Sequence, residues 1–293
     1  MRYRFNSFFI PLIFCLLILS TIFTACEKDI TVDLPNAEEQ IVVEGYITPG
    51  APPIVFISRT APFFAPVDSS TLLQYTIKDA VVTVSDGSQT DTLVAPFASA
   101  GYLYTTTTMT GEVGKTYSLQ IKLPDGRQLS SVTTIPVPVA LDSVWFRLIP
   151  ENDSLGWAWA RISDPPQAGN CFRWFAKRLG KDNDYLAPLG SVSDDRFYNG
   201  LSFDFAATRG SVPNSTAPDD NNEEAGLFKS GDTIAVRFCS ITQESFRFWR
   251  SAESQVTSNG NPFGAPASLK SNITGGIGIW EGYSFVLDTI YAQ

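Results

Sequence analysis

Gly114-Lys115-Thr116-Tyr117-Ser118-Leu119-Gln120-Ile121 alternates polar and apolar side chains, which puts Tyr117, Leu119 and Ile121 on one face of an extended strand. Asp125-Gly126 follows, a dipeptide that accepts the positive φ of a tight hairpin turn, and Gln128 to Thr134 returns. The same pattern holds upstream. Ala80-Val81-Val82-Thr83-Val84-Ser85 runs into Asp86-Gly87 and comes back as Gln89 to Val94. Ile41 to Ile47 is rich in β-branched and aromatic residues and stops at Pro49-Gly50. Pro53 to Ser58 gives a second short strand, and Gly101 to Tyr104 begins another. Between them, Ala61 to Ser70 reads as a loop in which Phe63 and Phe64 are exposed. Short strands with turns every ~8–12 residues, and no helical period, predict a sandwich. The expected fold class is mainly β, opening with an immunoglobulin-like β-sandwich over residues 40–135.

Ile135-Pro136-Val137-Pro138-Val139 interrupts this pattern. Proline fixes φ and has no N–H to give a ladder, so the segment is extended and marks a boundary. Residues 141–293 are expected to form a second β-rich domain. Leu141 to Ile149, Leu155 to Ser163 and Asn170 to Leu179 read as strands and carry Trp145, Trp157, Trp159 and Trp174. Trp157 and Trp159 stand two apart and share one strand face. Core packing is the bland reading of that pair; an aromatic platform for a sugar or another flat ligand is the functional one. Residues 194–230 are weakly patterned apart from a strand at Leu201 to Phe205, and Asp232 to Cys239 is again a strand. Ser240-Ile241-Thr242-Gln243 fits a capping box and predicts one helix near 241–256, with Phe246, Trp249, Ala252 and Val256 on a stripe bordered by Glu253. The glycine-rich run around Ile277, Ile279 and Trp280 lacks the Gly-Lys-Ser/Thr of a phosphate loop and reads as close backbone packing between late strands. Tyr283 to Leu287 gives the last of them.

The amino terminus is of another kind. Arg2 and Arg4 precede an apolar run from Phe8 to Phe23, and Phe23-Thr24-Ala25 leads to Cys26. This is the layout of a secretory signal peptide over residues 1–25, and the cysteine makes it resemble a bacterial lipoprotein signal, with Cys26 the lipidated residue and residues 26–39 a tether. Loss of the leader takes 21 basic side chains to 19 against 30 acidic ones, a net charge of −11 (19 minus 30). Such a surface repels phosphate backbones, so no nucleic-acid partner is expected. Cys171 and Cys239 also survive, and two readings stay open: one disulfide formed in an oxidising compartment, or two separate buried thiols.

The chain has no histidine, which removes Ser-His-Asp and Cys-His pairs and imidazole zinc sites. Asp194-Asp195 point to opposite faces of any strand and make a poor acid/base dyad. Asp219 to Glu224 lacks EF-hand spacing and reads as a solvated loop. No catalytic residue, metal site or cofactor is expected. The lipoprotein cysteine before Ile41-Val42-Val43-Glu44-Gly45, then Gly101-Tyr102, Gly114-Lys115-Thr116-Tyr117 and Leu141-Asp142-Ser143-Val144, and last Phe248-Trp249, Asn261-Pro262-Phe263, Ser271-Asn272-Ile273 and Gly276-Ile277-Gly278-Ile279-Trp280 carry a resemblance. They resemble an uncharacterised lipoprotein family of Bacteroidota named only as a domain of unknown function. Its members are often encoded beside TonB-dependent outer-membrane receptors. The resemblance implies an outer-membrane lipoprotein on the periplasmic or cell-surface face, a non-catalytic accessory or ligand-binding component held by its lipid and partnered by a receptor barrel. A carbohydrate-binding surface module is the alternative. Phe63, Phe64, Trp157 and Trp159 are the expected contact residues.

Overall fold

Period-two sequence becomes period-two burial. In the strand over Thr116–Lys122, Tyr117, Leu119 and Ile121 are buried and their neighbours are not. The computed structural model describes residues 38–61, 73–95, 102–150, 152–212, 225–258 and 268–293. In chain order the strands are β1 (Ile41–Ile47), β2 (Ile54–Arg59), β3 (Val81–Ser85), β4 (Thr90–Leu93), β5 (Tyr104–Thr105), β6 (Thr116–Lys122) and β7 (Gln128–Thr134). After the proline segment come β8 (Leu141–Leu148), β9 (Leu155–Ser163), β10 (Cys171–Arg178), β11 (Val192–Asp194), β12 (Ser202–Ala206), β13 (Phe228–Lys229) and β14 (Thr233–Ile241). Helix α1 (Gln243–Ser258) precedes β15 (Ile277–Gly282) and β16 (Ser284–Tyr291).

The strands make four sheets of four. Sheets β15-β1-β2-β5 and β4-β3-β6-β7 face each other over one core, in which Val43, Ile57, Val84, Leu119 and Trp280 are fully or almost fully buried. This is the first sandwich. Trp280 lies at its centre, and its indole N–H donates to the Tyr117 carbonyl at 3.0 Å. The third sheet has β9 between β8 and the two strands β12 and β13; the fourth runs β11-β10-β14-β16. Ala158 and Phe228 from the third meet Ala176 and Val236 from the fourth, while Ile162 and Phe203 meet Phe172 and Phe238. Helix α1 covers the other face of the fourth sheet, packing Phe246 and Trp249 against Cys171, Val192, Cys239 and Ile241.

The helix begins two residues later than the capping box suggested. Ser240 and Ile241 are held extended in β14 by their partners Phe172 and Cys171. Thr242 therefore caps the helix: its hydroxyl accepts the Ser245 N–H at 3.1 Å, and its carbonyl starts the ladder to Phe246. The Ser240 hydroxyl instead accepts the Val139 N–H at 3.1 Å, fastening the proline segment to β14.

Strands β15 and β16 are separated by Tyr283 alone. β15 runs parallel to β1, and β16 runs antiparallel to β14, so one stretch of chain belongs to both sandwiches. Residues Glu39–Gln293 accordingly form one compact unit. The close approach to β1 explains the glycines. Gly278 has φ +125°, and a Cβ there would sit 1.8 Å from the Val43 carbonyl oxygen. Asn272 brackets Trp280 from the approach segment, its side chain donating to the Trp280 carbonyl and accepting its N–H.

The first sandwich has two unlike ends. The chain enters β1 beside Gly276 and Gln128, and it leaves by Thr134 and by Gly282, which pairs with Ile47. Two of the three connections to the second sandwich, after Thr134 and after Gly282, thus depart from the end opposite Ile41, while the third returns from α1 along β7 to start β15 beside Ile41.

Candidate binding site

Residue pairing on the third sheet gathers an aromatic cluster. Ala158, Ala160 and Ile162 of β9 point into the core, so Trp157, Trp159 and Arg161 point out. Trp145 of β8 is opposite Trp159, and Arg147 is opposite Trp157. The three half-buried tryptophans touch: Trp145 and Trp159 lie 6.4 Å apart and nearly parallel at 17°, and Trp157 meets Trp159 edge-on at 6.5 Å. Beside them Arg161 donates to both oxygens of Asp204 at 2.6 and 3.0 Å, and the Ser163 hydroxyl donates to Asp142 at 2.7 Å. Indole rings with a hydrogen-bonding fringe suit a ligand that is apolar on its faces and polar at its edges. Sequence reasoning paired Trp157 with Trp159 but missed Trp145, because cross-strand register is not written in either strand alone.

The helix-bearing face of the fourth sheet holds a second cluster. Glu281 of β15 is buried, which pushes its pKa up; the Arg173 charge and hydrogen bonds from Trp249 and Ser245 oppose the shift. The Trp249 indole N–H reaches Glu281 Oε2 at 2.7 Å. The Arg173 guanidinium stacks on the same indole at 3.6 Å, and burial lowers its pKa against the pull of Glu281 and Glu253. Glu253 itself accepts the Gly190 N–H at 3.2 Å and the Ser191 hydroxyl at 3.0 Å. Acid, indole and guanidinium thus fix α1 to β15 and β10 together. The readable signal was Glu281, a carboxylate inside the otherwise apolar β15.

The other expected residues fall as follows. Cys171 and Cys239 are free and buried. Cys171 is opposite Ile241 and Cys239 is opposite Arg173, so the thiols are diagonal neighbours on one face. Diagonal positions lie about 7–8 Å apart, too far for the ~3.8 Å Cβ separation of a disulfide. The structure therefore shows two separate thiols and no bridge. Burial pushes each up to about 12, so both are neutral at pH 7, the unreactive form. Asp195 accepts the Gly169 and Asn170 N–H groups at 2.6 and 2.8 Å, whereas Asp194 pairs with Arg196 at 2.6 Å. One carboxylate shapes a turn and the other meets a surface cation. A cavity of about 650 Å³ opens between Pro136, Pro138, Pro165 and the start of α1. Its lining has no carboxylate to serve as a base for the Ser240 hydroxyl. Cys26, Phe63, Phe64 and the acidic loop at 219–224 lie outside the described residues. Among the described residues no helix is long and apolar enough to cross a membrane, and no group of three or more Cys, Asp or Glu could hold a metal.

Fold and faces define a two-sandwich β protein, stitched by the consecutive strands β15 and β16, that carries aromatic clusters on the outer surfaces of its second sandwich. The chain belongs to the family described as Domain of unknown function (DUF4249), whose model matches residues 27–286. No curated protein matches the chain.

Proposed function

We propose that this protein is an outer-membrane lipoprotein that works by binding, as a non-catalytic accessory or ligand-binding component of a TonB-dependent receptor system. One observation carries this reading: the first sandwich begins at Ile41, and the chain passes on to the second sandwich from its opposite end, after Thr134 and after Gly282. Lipid on Cys26 would attach the chain to a bilayer ahead of the first sandwich. Cys26→Ser is expected to move the protein from the membrane fraction to the soluble fraction. Affinity purification of the wild-type chain from outer membranes in mild detergent is expected to bring a receptor barrel with it. Recovery of the chain alone, or an unchanged location of the Cys26→Ser variant, defeats the proposal.

The tryptophan cluster favours a second reading, a carbohydrate-binding surface module. Sugar rings lie on indole faces, and the Arg161–Asp204 pair offers groups for hydroxyls. Neutral polysaccharides cast in native gels are expected to retard the wild-type chain, and Trp157→Ala and Trp159→Ala to abolish the retardation. A wild-type chain that no polysaccharide retards removes this reading.

A further inference from the structure

The cavity of about 650 Å³ beside the proline segment takes its wall from five parts of the chain. The proline segment gives Pro136 and Pro138, the turn after β9 gives Gln167, β10 and β14 give Phe172 and Ile241, and α1 gives Gln243. Sites for small molecules commonly measure ~300–1,000 Å³ and favour such joints between domains. Most of the wall is apolar, and no side chain in it is charged. The cluster of Trp145, Trp157 and Trp159 forms no part of it.

Two amides in the wall have their orientation set by the protein. Gln243 Oε1 accepts from Arg247 at 3.1 Å, so its NH2 group turns the other way, and Nε2 lies 3.4 Å from the point where a Cβ on Gly169 would stand. Asn170 gives its amide hydrogens to the Gln167 carbonyl at 2.6 Å and the Pro165 carbonyl at 3.4 Å, which leaves its Oδ1 to accept. The wall thus offers one oriented donor and one oriented acceptor. The Gln243 backbone N–H, the first in α1, has no acceptor within the helix and adds a second donor.

We infer that this cavity binds an uncharged small molecule, apolar over most of its surface, whose hydroxyl is held between the Gln243 and Asn170 amides. A hydroxyl both accepts and donates, which matches that pair. Charge is selected against, because burying an unpaired ion is costly. A cation would find no carboxylate in the wall, and an anion would find no cation. Burial foremost, and then Asp194, Asp195 and Glu244, disfavour the thiolate of Cys171 in the same wall, and these surroundings oppose an anionic ligand as well.

The test uses the full-length Cys26→Ser chain, purified without detergent, and N-phenyl-1-naphthylamine, an uncharged apolar dye that brightens out of water. Saturable enhancement at one dye per chain is expected. At pH 7, 2-naphthol should displace the dye, and 2-naphthoate, the same rings with a carboxylate, should do so about tenfold less well. Gln243→Ala should weaken 2-naphthol about fivefold and leave naphthalene, which has no hydroxyl, unaffected. Gln167→Trp, which swings an indole across the cavity from an exposed turn, should abolish dye binding with the circular dichroism spectrum unchanged. No saturable enhancement, undiminished dye binding by a folded Gln167→Trp chain, naphthoate equal to naphthol, or a naphthol affinity untouched by Gln243→Ala overturns the inference. None of these results depends on a receptor or on sugar binding, so a failure here leaves the proposed function standing.

Discussion

Gly278→Ala is expected to leave little folded protein. Two costs coincide at this position. A side chain at φ +125° strains the backbone by roughly 1–3 kcal/mol. The added Cβ would also sit 1.8 Å from the Val43 carbonyl oxygen, so β15 must move off β1 or twist out of the sheet. The neighbour is backbone in the middle of a buried strand and cannot rotate away. Together the losses should exceed about 4 kcal/mol, a large part of the ~5–15 kcal/mol that holds a typical domain folded. Soluble yield and urea denaturation followed by circular dichroism check it. A variant with the wild-type midpoint would show that β15 does not lie against β1 as described.

Trp280→Ala is expected to cost about 3–5 kcal/mol. The ring is fully buried where the two sheets of the first sandwich meet, and neighbouring chains have little freedom to close the hole. Its loss also strips the Tyr117 carbonyl of its donor. Trp280→Phe should recover part of the packing but not the hydrogen bond, and so fall between alanine and wild type. The urea midpoint should drop in that order with an unchanged slope. An alanine variant within about 1 kcal/mol of wild type would place this indole outside the core.

Much of the first sandwich could be read from the chain. One buried face forces alternation, so Tyr117, Leu119 and Ile121 announced β6, and Asp86-Gly87 and Asp125-Gly126 announced hairpins. The partner of β1 could not be read. Val42 pairs with Ile277, far along the chain, and a parallel contact between distant strands leaves no local pattern. The glycines of β15 did register as close packing, without saying against what. The helix was found by its apolar stripe, but its start was displaced because strand pairing outweighed a local capping signal. Of the binding faces, only same-strand neighbours were visible. Trp157 and Trp159 share β9, whereas Trp145 joins them through register.

The pairing of β1 with β15 has a mechanical consequence. With the amino-terminal anchor proposed above, the anchor would pull on the start of β1 and the second sandwich on the end of β15, its parallel neighbour over Val42–Ile47 and Ile277–Gly282. Tension between anchor and load therefore acts along the ladder. Its hydrogen bonds are sheared as a group and are not peeled open one by one. A chain anchored as proposed at one end and tugged at the other would be braced at the place where the force passes through it.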